Sequence, residues 1–300
     1  MRAGLLIAIL AAVTAAAAAA VSPSVVAKVV TGRGPCGVAS GYGAVWVANE
    51  AGTIARIDPV RNRVTRSVRV GRTACALTVG AGAVWAVRYG ADEVVRLDPR
   101  TFRVSRVRVG DEPYDVLAAA GSVWVTGHAD GSVTRIDPVS RRVTATIRLP
   151  NEPAGLAFVG GSIWVGSEGE GTGVFRIDPA TAAVTRIALG VQAPAWFVAG
   201  ATDAWVASAR AGVAVRIDPA TNRTVATLPV PGHAVAGAAA PDGTLWIPSK
   251  QANTVTRIDP VGDRVLDVFA AGPGAYVATR AFGSMWVTSY AGTDVWRFRP

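Results

Sequence analysis

The sequence predicts an all-β protein, because a unit of about forty residues recurs seven times along its 300 residues. Six units contain Arg-Ile-Asp-Pro or Arg-Leu-Asp-Pro, and a degenerate copy, Arg-Phe-Arg-Pro, ends the chain. A tryptophan precedes each string, and successive tryptophans lie 39 to 41 residues apart. They are Trp46, Trp85, Trp124, Trp164, Trp205, Trp246 and Trp286. Seven units of short strands predict a seven-bladed β-propeller with four antiparallel strands in each blade.

Residues 36–70 show how one unit divides into strands A to D. Residues 36–40 and 44–49 are short apolar runs, and residues 53–58 alternate with a period of two; with the longer segment 63–70 they predict four strands. Glycine, proline and asparagine separate these segments and predict turns. Strand A is short and built of small residues, as expected of a strand that lines a central channel. Strand D carries arginines, as expected of an outer edge.

The repeated residues have structural interpretations. Seven equivalent tryptophans would fill the space between blades. The Asp-Pro pair ends strand C, because proline cannot continue the hydrogen-bond ladder and aspartate accepts bonds from turn amides. The repeated arginine stands two residues before this aspartate, so both face the same side of the strand. We therefore expect a ring of Arg–Asp ion pairs.

The two ends of the chain complement each other. The last unit stops after strand C, whereas residues 24–31 have the pattern of a strand D that precedes the first unit. The N-terminal strand should therefore complete the last blade and close the ring, which removes sheet edges that favour aggregation. Residues 21–300 would then form one seven-bladed domain.

Residues 1–20 have a different composition. Arg2 precedes an apolar stretch that ends in alanines, the pattern of a secretory signal peptide with cleavage after Ala18, Ala19 or Ala20. An uncleaved anchor over residues 3–21 is the alternative, since that stretch is just long enough to span a bilayer. Both interpretations predict an extracytoplasmic protein, either secreted or held in the cell envelope.

The net charge of +9 comes from 28 arginines, Lys28 and Lys250 against 21 acidic residues. A basic protein can bind polyanions, and arginines in the C-to-D turns predict one basic face. Seven arginines occupy the repeated position, however, and no basic stripe is interleaved with aromatic residues. We therefore do not expect nucleic-acid binding, and a polyanion-binding face is the weakest of three function hypotheses.

The opposite face, formed by the B-to-C and D-to-A turns, carries the distinctive residues. It or its rim holds all six glutamates and both histidines, whereas the A-to-B turns are mostly glycine. Positions that vary among repeats are free to serve function, so we predict a binding site at the mouth of the central channel. The candidate ligand contacts are Glu50, Tyr89, Tyr114, His128, Glu168 and Tyr290.

The leading hypothesis is an exported scaffold for binding or interaction. Its partner would be a small molecule, a peptide or a component of the cell envelope. The chain has no HExxH zinc motif, no phosphate-binding glycine loop and no Gly-x-Ser-x-Gly elbow. We therefore expect a monomer without a metal or cofactor. No segment after residue 21 is apolar enough to span a membrane.

Cys36 and Cys75 each lie ten residues before the tryptophan of their unit. They thus begin strand A in adjacent blades, and two cysteines in an exported chain predict a disulfide. Tyr114 in the third unit and His233 in the sixth are expected at the same position of the ring. Free buried thiols, or a metal site formed with His233, are the alternatives.

Two resemblances to known families follow from these motifs. The unit Gly-x-Val-Trp-Val-Ala, followed by Arg-Ile-Asp-Pro-x-Thr, resembles the YVTN-type (WD40-like) β-propeller repeat of secreted and cell-surface bacterial proteins over residues 24–300. This resemblance implies a propeller that serves as a binding scaffold.

A narrower resemblance is to the streptogramin B lyases (virginiamycin B lyases), which are also seven-bladed propellers. Their Pro-His-Gly-Ile and Asp-Gly-x-Leu-Trp-Phe-Thr-Glu motifs are similar to Pro-Gly-His-Ala-Val at 231–235 and Asp-Gly-Thr-Leu-Trp-Ile-Pro-Ser at 242–249. The resemblance implies a Mg²⁺-dependent C–O lyase that opens cyclic depsipeptides by elimination. His233 would be the catalytic base and Glu50 or Glu168 its acidic partner. This lyase activity is the alternative to a binding scaffold.

Overall fold

The computed structural model describes residues 22–150 and 152–300, so the predicted signal peptide or anchor lies outside the described residues. The regular structure of these ranges consists of 28 β-strands. No helix within the described ranges is long and apolar enough to cross a bilayer. The all-β prediction is therefore confirmed.

Most of the strands follow one another in antiparallel groups of four, here called blades 1 to 6. The strands of the first three blades are β2 (Pro35–Gly41), β3 (Ala44–Asn49), β4 (Thr53–Asp58) and β5 (Arg63–Arg69); β6 (Ala74–Gly80), β7 (Ala83–Arg88), β8 (Glu93–Leu97) and β9 (Val104–Arg108); and β10 (Pro113–Ala119), β11 (Ser122–Gly127), β12 (Ser132–Ile136) and β13 (Val143–Arg148). The strands of the next three are β14 (Pro153–Val159), β15 (Ser162–Ser167), β16 (Gly173–Ile177) and β17 (Val184–Ala188); β18 (Trp196–Ala199), β19 (Ala204–Ser208), β20 (Val213–Asp218) and β21 (Arg223–Pro229); and β22 (Gly237–Ala239), β23 (Leu245–Ser249), β24 (Thr254–Asp259) and β25 (Arg264–Ala270).

Blade 7 combines both ends of the described chain. It contains β26 (Ala275–Ala281), β27 (Ser284–Ser289), β28 (Asp294–Arg299) and β1 (Ser24–Val30), and β1 is the outer strand. The antiparallel pairing of β1 with β28 runs from Ser24 opposite Arg299 to Val30 opposite Asp294. The N-terminal segment thus supplies the strand that the last repeat lacks, and 28 strands fit seven four-stranded blades of a β-propeller.

Blades 5 and 6 differ from the others in their inner strands. Strand β18 has four residues and β22 has three, whereas the other inner strands have seven. The two short strands pair in parallel, with Val198 opposite Gly237 and Ala199 opposite Ala238, so the two blades form one eight-stranded sheet.

The seven repeated tryptophans are core residues, as predicted, and each is at most 1% exposed. In four blades the indole Nε1–H donates to the carbonyl oxygen of the residue five positions earlier, at 3.0 to 3.2 Å. These tryptophans are Trp46, Trp124, Trp164 and Trp286. A buried indole needs such an acceptor, because an unpaired N–H in the core costs free energy.

The expected ring of Arg–Asp pairs within each unit is wrong. The repeated arginines of blades 3, 4, 5 and 7 instead donate to the carbonyl oxygen of the Asp-Pro proline in the next blade, at 2.6 to 3.0 Å. These bonds run from Arg135 to Pro179, Arg176 to Pro219, Arg216 to Pro260 and Arg297 to Pro59. The repeated aspartates accept bonds from backbone amides of their own turns, as Asp137 does from Val139 and Ser140.

The physical reason lies in the turn that follows strand C. The carboxylate of the repeated aspartate accepts two backbone N–H bonds of that turn, as Asp178 does from Ala180 and Thr181. The aspartate is therefore engaged within its own turn, and the arginine donates across to the neighbouring blade.

Candidate functional site

The first residue after strand B has an equivalent place in six blades. Its backbone N–H donates to a carbonyl oxygen in the D-to-A turn of the same blade, at 2.8 to 3.3 Å. These six residues, here called the mouth ring, are Glu50, Tyr89, His128, Glu168, Lys250 and Tyr290. Five of the six ligand contacts expected from the sequence thus belong to one structural ring. The sixth, Tyr114, lies in β10 and contacts two members of this ring.

Glu50 is the acceptor at the centre of one cluster in the mouth ring. The Tyr290 hydroxyl donates to its Oε2 at 2.9 Å, and the Tyr89 hydroxyl donates to its Oε1. Burial, together with the Glu50 charge, raises the pKa of Tyr290 to about 12 and raises the pKa of Tyr89. Both hydroxyls therefore stay protonated at neutral pH and hold the carboxylate in one orientation between blades 1, 2 and 7.

Glu168 is the acceptor of a second cluster on the other side of the channel. The Tyr114 hydroxyl donates to its Oε2 at 3.1 Å, and the Trp196 indole N–H donates to its Oε1 at 3.1 Å. The Tyr114 ring stacks on His128, with ring centroids 4.5 Å apart and planes 21° apart. Burial is the main cause of a raised pKa of the Tyr114 hydroxyl, so this group is also a donor at neutral pH.

A cavity of about 250 Å³ lies between these clusters at the mouth of the channel. The inner strands contribute Cys36, Cys75 and Ala236 to its wall. Aromatic rings of Tyr114, Trp196 and Tyr276 line it together with three members of the mouth ring, Tyr89, Lys250 and Tyr290. An apolar concave site with a few fixed polar groups is the usual form of a small-ligand site.

Asp115 is the acidic residue on the inner wall of this cavity. Its Oδ1 accepts the backbone N–H of Val116 at 2.8 Å, and its Oδ2 accepts the backbone N–H of Leu156 from blade 4, also at 2.8 Å. Burial raises the pKa of Asp115 to about 7, although these two hydrogen bonds oppose the shift. Its accessible surface faces the cavity, where it can present either a proton or a negative charge near neutral pH.

Lys250 places a cation against the aromatic wall. Its Nζ lies 4.1 Å from the centroid of the Tyr290 ring and 5.1 Å from that of Tyr276. These two rings are themselves in contact, with centroids 5.1 Å apart. Among the described residues, no carboxylate forms an ion pair with Lys250, so its ammonium group is held by the tyrosine faces.

His233 does not share the ring position of the two cysteines, contrary to the prediction. Its carbonyl accepts the N–H of Lys250, so it is equivalent to Gly34, two residues before Cys36. The residue ten positions before Trp246 is Ala236, which lines the cavity with Cys36 and Cys75, whereas His233 lies thirteen positions before Trp246. The side chain lines a second cavity of about 460 Å³ with Glu168 and Lys250.

The residues around His233 do not fit a Mg²⁺ site. No hydrogen bond or ion pair joins its imidazole to a carboxylate within residues 22–150 and 152–300. The same ranges contain no group of three or more histidine, cysteine, aspartate or glutamate side chains placed to hold a metal ion. Mg²⁺ requires several oxygen ligands in near-octahedral geometry.

The predicted disulfide joins Cys36 and Cys75, with Cα atoms 4.9 Å apart. The alternatives of free thiols and of a metal site with His233 are therefore wrong. The inner strands of blades 1 and 2 lie close together here: a Cβ atom added to Gly37 would be 2.6 Å from the Cys75 carbonyl oxygen. Glycine permits this approach, and the disulfide holds the two strands together at the cavity wall.

Four residues of the site were missed by sequence reasoning: Asp115, Trp196, Lys250 and Tyr276. Three of them had a signal. Trp196 is a tryptophan outside the repeated position, and Tyr276 stands ten residues before Trp286, as Cys36 does before Trp46. Lys250 stands four residues after Trp246, as Glu50 does after Trp46. Asp115 had no comparable signal, because its role depends on burial and on a backbone amide of the next blade.

The strand arrangement defines the chain as a β-propeller protein, with a polar and aromatic cluster at one end of its inner strands. No family model matches the sequence, and no curated protein matches it. The fold is similar to solved propeller structures.

A catalytically inactive variant of virginiamycin B lyase from Staphylococcus aureus with quinupristin matches at a TM-score of 0.79 and 16% identity, covering 89% of this chain and 95% of that one. A streptogramin B lyase structure matches at a TM-score of 0.79 and 18% identity, and the match covers 89% of this chain and 93% of that one. Kuenenia stuttgartiensis hydrazine synthase matches at a TM-score of 0.77 and 15% identity, and the match covers 90% of this chain and 96% of that one. These likenesses concern the fold, and the same fold supports different activities.

Proposed function

We propose that this protein is an exported β-propeller binding protein whose site is the cavity at the mouth ring. The observation that carries the proposal is that the aromatic donors to Glu50 and Glu168, two for each carboxylate, all line one cavity. Packing alone does not require such residues, because the equivalent place in blade 5 is taken by alanine and arginine at 209 and 210. Polar groups fixed before binding lower the entropic cost of taking up a ligand.

The ligand would be a small molecule or the end of a peptide. A cavity of about 250 Å³ is too small for a folded partner and suits a compact group inserted between aromatic rings. The fixed rings of Tyr89, Tyr114 and Tyr290 offer large contact areas with few rotatable bonds, so little conformational entropy is lost on contact.

The test is affinity selection with mass spectrometry, using the immobilised protein and small-molecule and peptide extracts of the cell envelope and medium. We expect a ligand to be retained by the wild type and lost from Tyr114→Ala and Glu168→Gln. Arg142→Gln, an exposed change in a C-to-D turn, is the matched control and should retain it. Equal retention by all four proteins would contradict a site at the mouth ring.

Export is part of the proposal. The disulfide between Cys36 and Cys75 is consistent with an oxidising, extracytoplasmic location. We expect mature protein from the cell envelope or medium to begin after Ala18, Ala19 or Ala20, as N-terminal sequencing would reveal. An intact N-terminus in the membrane fraction would instead identify residues 3–21 as an anchor.

We also propose that β1 closes the ring of blades. The pairing of β1 with β28 and the bond from Arg297 to Pro59 support closure between blades 7 and 1. A closed ring would hold the mouth ring residues of these two blades, Tyr290 and Glu50, in fixed positions.

A lyase of the streptogramin B type is the second candidate, favoured by the similar fold and by His233 at the wall of the second cavity. The lack of a carboxylate partner for His233 within the described ranges favours binding instead. Incubation with a cyclic depsipeptide and Mg²⁺, followed by mass spectrometry, distinguishes the two. We expect no linear product, and a product that His233→Ala abolishes would establish the lyase.

A further inference from the structure

The position of the Lys250 ammonium group beside the cavity indicates which chemical class of ligand the cavity would bind. This step rests on the proposed function, because it concerns the same cavity. Lys250 brings its ammonium group to within 4.1 Å of the Tyr290 ring centroid and 5.1 Å of the Tyr276 centroid. The negative face of an aromatic ring attracts cations at such distances, and several rings around one point form an aromatic cage.

The charges around the cavity also favour a cation. Four carboxyl groups belong to its wall or to the adjoining clusters, namely Glu50, Glu112, Asp115 and Glu168. Lys250 is the basic side chain among the residues that line the 250 Å³ cavity. Arg210 lies on the wall of the neighbouring cavity, and Arg33 and Arg72 line a more open depression outside Glu50.

The tyrosine hydroxyls fix the two carboxylates at the edge of the cage. Tyr89 and Tyr290 act as donors to Glu50, and Tyr114 acts as a donor to Glu168. Because the hydroxyls are directed to these carboxylates, the ring faces remain available to a cation that carries apolar groups.

We propose that the cavity binds an organic ammonium group, and that the Lys250 ammonium occupies this place in the free protein. A ligand would displace Lys250 from the faces of Tyr276 and Tyr290. Replacing the lysine by an uncharged side chain, which lacks the attraction of the ammonium group to the two rings, should therefore strengthen binding, because a site that is occupied by its own chain has a lower apparent affinity.

Two probes of one shape separate charge from size: choline, and 3,3-dimethylbutan-1-ol, its neutral isostere. Binding is measured by isothermal titration calorimetry to the wild type, Lys250→Met and Lys250→Met with Tyr290→Leu. We expect choline to bind Lys250→Met about fivefold more tightly than wild type, and the Tyr290→Leu change to weaken that binding about tenfold. The neutral alcohol should bind none of these proteins measurably.

Two control variants isolate the cause. Arg210→Gln removes a nearby positive charge but leaves the Lys250 ammonium group on the rings of Tyr276 and Tyr290. It should therefore change choline affinity less than about twofold. Tyr42→Leu replaces an exposed tyrosine of an A-to-B turn and should have no effect. A similar gain from Arg210→Gln would show that net charge, and not displacement of Lys250, controls binding.

Three outcomes overturn the inference: choline binds neither wild type nor Lys250→Met, the alcohol binds as well as choline, or Lys250→Met does not bind choline more tightly. Affinity selection then decides the proposed function separately. A neutral or anionic ligand retained at the mouth ring would leave the proposed function standing, while retention of no ligand would overturn both.

Discussion

The guanidinium group of Arg297 in β28 donates a 2.6 Å hydrogen bond to the carbonyl oxygen of Pro59, in the turn that follows β4. The same nitrogen donates to Asn62 Oδ1 at 2.8 Å, and the Nε atom donates to the Ser284 hydroxyl at 2.9 Å. Arg297 and Pro59 are 238 residues apart along the chain, and the hydrogen bond between them joins the last blade to the first. The equivalent bond from Arg176 to Pro219 joins blades 4 and 5.

Arg297→Gln should lower the free energy of unfolding by about 2 kcal/mol, because hydrogen bonds from a charged donor are lost between blades 7 and 1. Urea denaturation followed by tryptophan fluorescence measures the change. Arg299→Gln, at the exposed end of the same strand, is the matched control and should be nearly neutral. Arg176→Gln should cost as much as Arg297→Gln if the ring is closed. If Arg297→Gln leaves the free energy of unfolding unchanged while Arg176→Gln lowers it, blades 7 and 1 do not stabilise each other.

Deletion of residues 21–31 should give an insoluble or much less stable protein, because β28 would become an open sheet edge. Thermal melting and the fraction of soluble protein measure the effect. Ser24 pairs with Arg299, so the start of β1 lies beside the end of the chain. Attaching the sequence of residues 22–31 after Pro300 through a short turn should therefore restore stability. Wild-type melting of the truncated protein would contradict the role of β1.

Replacing both cysteines by alanine should lower the free energy of unfolding by about 4 kcal/mol, since the disulfide closes a loop between residues 39 apart. Denaturant melts of the variant and of the oxidised wild type measure the loss. Thiol titration of the unfolded, non-reduced protein should find no free thiol, because the chain has only these two cysteines. Two titratable thiols would contradict the disulfide.

Asp115 should make stability depend on pH. Its pKa is about 7 in the folded protein and 3.8 ordinarily, so the folded state binds more protons between these values. This contribution to stability is fully present below pH 3.8 and is lost as pH rises through 7. We expect the wild type to lose about 2 kcal/mol between pH 5 and pH 8 relative to Asp115→Asn.

Denaturation at a series of pH values provides that comparison, and subtraction of the two curves removes the contributions of the histidines. The exposed residue Asp111 offers a control, since Asp111→Asn changes a carboxyl group four residues away without entering the cavity. Parallel curves for the wild type and Asp115→Asn would show that Asp115 does not titrate in this range.

The repeat determined most of the fold in advance. The spacing of seven tryptophans predicted the buried positions, and the unmatched segment at residues 24–31 predicted the pairing of β1 with β28. Counting from Trp46 and Trp85 also predicted the disulfide between Cys36 and Cys75. These relationships are local to one blade or repeat from blade to blade, so the one-dimensional pattern contains them.

The relationships between blades were decided by the tertiary structure. In blades 3, 4, 5 and 7 the repeated arginine bonds to the next blade, because the aspartate of its own unit is engaged by the backbone amides of the turn that follows. Tyr89 and Tyr290 are 39 and 240 residues from Glu50 in the chain, and the packing of blades 1, 2 and 7 brings the three side chains together. Likewise, the pKa of Asp115 depends on burial at the wall of the cavity and on a backbone amide of the next blade. The sequence by itself determined which residues depart from the repeat and are therefore not required by the fold. The packing of the blades decided which of these residues share a cavity.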